Sequence, residues 1–144
     1  MNTTCAERVD EHMESRLNAL RQLWELYCKD CEAYDEEYGN LDEYGLSFDY
    51  VAPETFSDQP EGYFRYQISC GGPGEEFRFY ADQKTDWDFS VYRVEFWFLD
   101  WFDGAPRALH GADLELMTEI FQSYFVDSGT AIHLYNEAYH ESSR

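Results

Sequence analysis

Lysine is nearly missing from this chain: Lys29 and Lys84 are the only two in 144 residues. Ten basic residues stand against 30 acidic ones, for a formal net charge of −20. A chain so charged repels phosphate, so the expected partner is a basic protein and not nucleic acid itself. Long apolar runs are missing too. No window approaches the ~20 consecutive apolar residues of a membrane span. The first residues carry Glu7, Asp10 and Glu11 in place of a basic start followed by an apolar stretch, so no secretory leader is read there. The expected location is the cytoplasm, where Cys5, Cys28, Cys31 and Cys70 would stay reduced.

Motifs that carry chemistry are equally scarce. Cys28-x-x-Cys31 lacks the second close pair of a four-ligand zinc site, and His12, His110, His133 and His140 are scattered. Asp30 and Glu32 beside the pair would raise a thiol pKa, the opposite of what redox chemistry needs. These cysteines read as small apolar packing residues inside a helix. Asp82, Asp86 and Asp88 do not follow the spacing of a calcium loop. Gly71-Gly72-Pro73-Gly74 is not followed by the Lys-Ser/Thr of a phosphate loop, and Glu75-Glu76 would repel the anion, so it reads as a turn. No nucleophile, base and orienting group can be assembled. The expectation is a protein that is not an enzyme and uses no cofactor and no metal.

Core-forming material is plentiful. Hydrophobic residues make up 44% and aromatics 19%, too rich for a disordered chain, and the length suits a single domain over 1–144. Met13, Leu17, Leu20, Trp24, Tyr27, Cys31 and Tyr34 fall at helical spacing, which predicts one long helix over 4–38. Thr4 and Glu7 offer a capping box at its start, and Gly39-Asn40 a stop at its end. Period-two alternation then marks four strands: Leu46, Phe48 and Tyr50; Phe64, Tyr66 and Ile68; Phe77 and Phe79; Tyr92, Val94, Phe96 and Phe98. Arg65, Arg78 and Arg93 oppose the aromatic register, so they belong on the outer face, paired with carboxylates such as Glu76 and Glu95. Leu114, Met117, Phe121 and Tyr124 share one helical face. Thr130 starts a last helix with Ile132, Tyr135 and Tyr139. The predicted fold class is α+β: a long N-terminal helix, a four-stranded antiparallel meander and two C-terminal helices.

The distribution of charge points toward function. No Lys or Arg lies between Lys29 and Arg65, a stretch with eleven acids, and a second gap runs from Arg107 to Arg144. Solubility of a small domain needs a net charge of only about 2–8. Carboxylates three or four apart on a helix lie about 5–6 Å from each other, and a row of them resembles the dense charge of duplex DNA. The candidate partner-binding residues are Asp30, Glu32, Asp35, Glu36, Glu37, Asp42 and Glu43, with Asp100, Trp101 and Asp103 as a second acidic-aromatic group. Tyr34, Tyr38 and Tyr44 could add flat contacts, with Tyr34 alternatively a core residue. Halophilic adaptation would also explain scarce lysine, although the aromatic content fits it less well.

The blocks Tyr44-Gly45-Leu46-Ser47-Phe48-Asp49-Tyr50-Val51, Gly62-Tyr63-Phe64-Arg65-Tyr66-Gln67, Glu76-Phe77-Arg78-Phe79 and Phe96-Trp97-Phe98-Leu99-Asp100-Trp101-Phe102-Asp103-Gly104 resemble small acidic proteins carried on bacterial plasmids and phages. Proteins of that setting include anti-restriction and anti-CRISPR inhibitors, several of which imitate DNA. The resemblance implies an inhibitor of a bacterial defence or DNA-handling protein, anti-CRISPR preferred. The alternative is an acidic protein-binding module of plasmid or phage maintenance without mimicry.

Overall fold

The computed structural model describes residues 4–142. The chain runs α1 (Cys5–Lys29), α2 (Leu41–Tyr44), β1 (Ser47–Val51), β2 (Tyr63–Ser69), β3 (Gly74–Gln83), β4 (Phe89–Asp100), β5 (Asp103–Ala108), α3 (Gly111–Ile120) and α4 (Thr130–Ser142). A π-helical turn, Phe121–Val126, continues α3. The α+β class and the antiparallel meander hold, with the sheet in sequential order. There are five strands, not four. The fifth was hidden because β5 is an edge strand that buries only Ala105 among its six residues, so it has no apolar alternation to read.

The long helix is also shorter than its periodicity predicts. It begins as expected, with the Thr4 side chain accepting from the Glu7 N–H at 3.2 Å, and it ends at Lys29. The stretch from Asp30 to Asn40 is a run of turns. Asp30 Oδ1 accepts from the Glu32 N–H at 3.0 Å, and Asp35 Oδ1 accepts from the N–H groups of Glu37 and Tyr38 at 2.8 and 2.9 Å. Such local bonds compete with helical ones, and acids are unfavourable at a helix C-terminus. Cys31 and Tyr34 are therefore exposed, and Cys28 is exposed on the last turn of α1, which corrects the reading of the two cysteines as packing residues and of Tyr34 as core. Asn40 does not stop the first helix but caps α2, its side chain accepting from the Glu43 N–H at 2.9 Å.

All helices lie on one face of the sheet. Val9, Leu17, Leu20, Leu23 and Trp24 of α1 join Phe64, Phe77, Phe79, Phe96 and Phe98 in one core with Met117, Ile120 and Phe121. Each fully buried side chain of this size contributes about 1.5–3 kcal/mol of transfer free energy. α4 closes the β1 side, where the ring of Tyr50 meets those of Tyr135 at 5.1 Å and Tyr139 at 6.1 Å. A bulge explains one misplaced residue. Tyr80 pairs with Arg93 but Ala81 pairs with Val91, leaving Tyr92 as the extra residue. The register flips there, so Phe89 faces the core and Tyr92 faces solvent. Leu46, predicted inward, precedes β1 and is exposed.

Polar seams hold α1 in place. Arg8 pairs with Asp100 at 2.8 Å, and Arg107 pairs with Asp10 at 3.0 Å. Glu75 and Glu76 are adjacent on β3, are only 4% and 3% exposed, and point to opposite faces. On the helix side, Glu75 accepts from both Nε and Nη2 of Arg16 at 3.1 and 2.8 Å. On the outer side, Glu76 accepts from Arg78 Nε at 2.7 Å.

Candidate partner-binding site

Ten residues were expected at the site, and the structure divides them between the two ends of α1, roughly 37 Å apart for 25 residues at ~1.5 Å each. Asp30, Glu32, Asp35, Glu36, Glu37, Asp42 and Glu43 follow its C-terminal end. Asp100, Trp101 and Asp103 lie at its N-terminal end, because Asp103 accepts the Cys5 N–H at 2.9 Å. They form two surfaces, not one.

The C-terminal end is the more acidic. Glu32, Glu36, Glu37, Asp42 and Glu43 are exposed, on turns and on α2 instead of on a continuous helix. The regular row of carboxylates at helical spacing is therefore replaced by an irregular cluster. Asp35 is half-buried and spends its carboxylate on holding the turn, accepting also from Gln22 Nε2 at 3.2 Å.

Tertiary packing brings the second acidic segment to this same end. The Tyr124 hydroxyl donates to Asp42 Oδ1, and the rings of Tyr27 and Tyr124 meet edge-on at 5.3 Å. Slight burial of the Cys28 thiol, then the charge of Glu119, pushes its pKa up. Glu25, Glu115 and Glu119 line a groove of about 330 Å³ between α1 and α3. Arg21 in that groove is already bound to Asp113 at 2.9 Å. The π turn matters here: the wider turn carries Phe125 and Val126 into the core and leaves Tyr124 half-buried, with its hydroxyl toward α2. Burial, then the bond to Asp42, holds that phenol above its ordinary pKa. Sequence reasoning placed Glu115, Glu119 and Asp127 in the other Lys/Arg-free segment and had no means of seeing the two segments meet.

Arginine does not dilute this charge. All seven arginines among the described residues are committed to the chain's own carboxylates: Arg8, Arg16, Arg21, Arg65, Arg78, Arg93 and Arg107. The outer face of the sheet carries three of them, as expected. Arg65 is bidentate on Asp49 at 3.0 and 2.6 Å, and Arg78 lies over the Trp97 ring at 4.0 Å. Arg93 lies over Tyr80 at 3.9 Å and pairs with Glu61 at 3.1 Å. The Glu61 carboxyl is held below its ordinary pKa by hydrogen bonds from Tyr92 and Arg93.

No family model matches this chain, and no curated protein or solved structure is similar to it.

At the opposite end, Trp101 and Phe102 form the tip of the β4–β5 hairpin and are 92% and 104% exposed. Trp101 has φ +56°, in the left-handed region that favours glycine. Asp100 and Asp103 flank the tip but anchor it, to Arg8 and to the start of α1. The Cys5 N–H keeps the Asp103 carboxyl below its ordinary pKa. Among the described residues no group of three or more His, Cys, Asp and Glu could hold a metal ion. Nor is any described helix long and apolar enough to cross a membrane.

Proposed function

We propose that this chain is a non-catalytic inhibitor that occupies the basic groove of a nucleic-acid-handling protein with the acidic C-terminal end of α1. One observation carries the reading. Parts of the two segments without Lys or Arg meet at that end, through Tyr124 on Asp42, Tyr27 on Tyr124, and Glu115 and Glu119 beside Glu25 in the groove between α1 and α3. The meeting gathers carboxylates of α1, the turns after it, α2 and α3 that form no ion pair among the described residues, while the arginines are each held by another carboxylate. An inhibitor of a bacterial defence protein, with anti-CRISPR activity as the preferred instance, follows from the resemblance and from this surface together. The clustered, turn-borne geometry imitates the charge density of a phosphate backbone and not its regular spacing.

The Trp101–Phe102 tip favours the second reading, an acidic binding module without mimicry. Its exposed aromatics suit an apolar anchor at a protein interface. The two readings separate in a single experiment. Partners are isolated from a bacterial lysate on the immobilised protein, purified, and titrated at several salt concentrations with and without duplex DNA. Mimicry requires DNA to compete, and association to slow as salt screens exposed charge over about 8 Å at physiological ionic strength. It further requires Glu32, Glu36 and Glu37 changed together to Gln to weaken binding with the fold intact. Binding that is indifferent to DNA and salt, yet lost on Trp101→Ser, selects the module.

A further inference from the structure

Beneath α2, at the acidic end, lies a cavity of about 180 Å³ lined by Asp42, Gly45, Phe48, Tyr66, Tyr124 and Phe125, among others. A single ordered water needs only about 10–15 Å³. The Tyr66 side chain is 4% exposed, yet its hydroxyl has no hydrogen-bond partner among the described residues. A buried hydroxyl without a partner costs free energy, so a hydrogen-bonding group placed in the cavity would stabilise it. Its position is enforced: a Cβ on Gly45 would stand 2.2 Å from the Tyr66 ring, so only glycine lets the chain pass.

The walls define what fits. Phe48 and Phe125 stack at 3.8 Å, and Tyr66 meets Phe125 edge-on at 5.2 Å. The Asp42 carboxylate in that lining attracts a cation. Asp42 in the lining is exposed and the chain as a whole carries −20, so an anion is repelled. Burial, with the neighbouring Tyr44 and Asp42, keeps the Tyr66 phenol protonated; its oxygen lone pairs are free to accept an N–H.

We propose that this cavity is a receptor for the cationic side chain of an arginine presented by a partner protein. The planar guanidinium is flat enough for a narrow aromatic-walled cavity and has a fork of donors to reach both Asp42 and the Tyr66 hydroxyl, a geometry that a lysine ammonium does not match. The partner side of this inference rests on the basic partner proposed above; the cavity's preference for a guanidinium does not.

The test uses the whole chain, with N-acetyl-arginine amide as the probe and N-acetyl-citrulline amide as its neutral isostere. Ring resonances of Tyr66 and Phe125 are followed by NMR titration. The arginine derivative is expected to bind at least tenfold more tightly than citrulline. Asp42→Asn, whose amide oxygen still accepts from Tyr124, should erase that preference. Tyr66→Phe should weaken binding severalfold without lowering the midpoint of thermal unfolding, because it deletes an unpaired hydroxyl. Equal binding of the two derivatives overturns the proposal, as does an absence of shifts at Tyr66 and Phe125. A Tyr66→Phe variant that is less stable and binds normally also overturns it, since water then satisfies the hydroxyl. Salt-sensitive partner binding that persists with an inert cavity defeats this inference alone. Arginine selectivity without any basic partner defeats the proposed function and leaves the cavity standing.

Discussion

Replacing Glu75 by Gln tests how α1 is fixed to the sheet. Glu75 is 4% exposed and its carboxylate accepts from Arg16 Nε at 3.1 Å and Nη2 at 2.8 Å, from Ser69 Oγ at 2.9 Å and, when Nδ1 carries hydrogen, from His12 Nδ1 at 3.3 Å. Gln keeps the shape, but puts an amide donor against the guanidinium and removes the charge. Breaking a buried ion pair from one side costs about 3–5 kcal/mol. Arg16 keeps 29% of its side chain in solvent, so water compensates part of its loss, and Glu75→Gln should cost about 2–3 kcal/mol at pH 7. Arg16→Gln should cost more than Glu75→Gln, because it strands the more deeply buried partner. The pH dependence has a definite sign. Burial pushes the Glu75 pKa up, but bonds from Arg16 and Ser69 and the charges of Arg16 and His12 outweigh it and leave the pKa lowered. A lowered folded pKa gives stability that is complete above the unfolded value of about 4.3 and is lost as pH falls through the folded value. The gap between wild type and Glu75→Gln should therefore narrow below about pH 4. Urea unfolding followed by circular dichroism at pH 7, 5 and 3 measures it. A variant within about 0.5 kcal/mol of wild type at pH 7, or a gap that does not change with pH, would refute the argument.

Phe96 is fully buried and meets Phe77 edge-on at 5.0 Å, so Phe96→Ala should cost about 3–5 kcal/mol in the same assay; Trp24→Ala, at the α1 side of that core, should fall in this range as well. Trp101→Gly should raise stability by about 1 kcal/mol, since it relieves a positive φ at a side chain that touches almost nothing; a loss of stability would mean that the indole packs in solution. Of the four thiols, Cys28, Cys31 and Cys70 are exposed and Cys5 is buried, so a thiol reagent should modify Cys31 and Cys70 quickly, Cys28 more slowly because its pKa is raised, and Cys5 only on unfolding. Changing Cys28 and Cys31 together to Ser should alter stability by no more than about 0.5 kcal/mol.

Much of this molecule follows from local pattern. The strand cores at Phe64, Tyr66 and Ile68, at Phe77 and Phe79, and at Val94, Phe96 and Phe98 were legible because period-two alternation is imposed by the pleat itself. The outer-face arginines followed from the same alternation, and the acidic excess is a property of composition. What local pattern could not decide were the places where two local tendencies compete or where distant segments meet. The stripe through Cys31 and Tyr34 continued the helical period, but local side-chain bonds of Asp30 and Asp35 hold the chain in turns where the helix has ended. The bulge at Tyr92 and the edge strand β5 are features of pairing between strands, invisible in either strand alone. Most consequential for function, the sequence by itself determined that two long segments carry no positive charge, while only the tertiary structure determined that part of each, residues 30–43 and 115–124, meets at one end of α1 and that Asp100 and Asp103 belong to the other. Charge adds up along a chain regardless of its fold, but the field felt by a partner depends on distance, and distance between remote residues is set by packing.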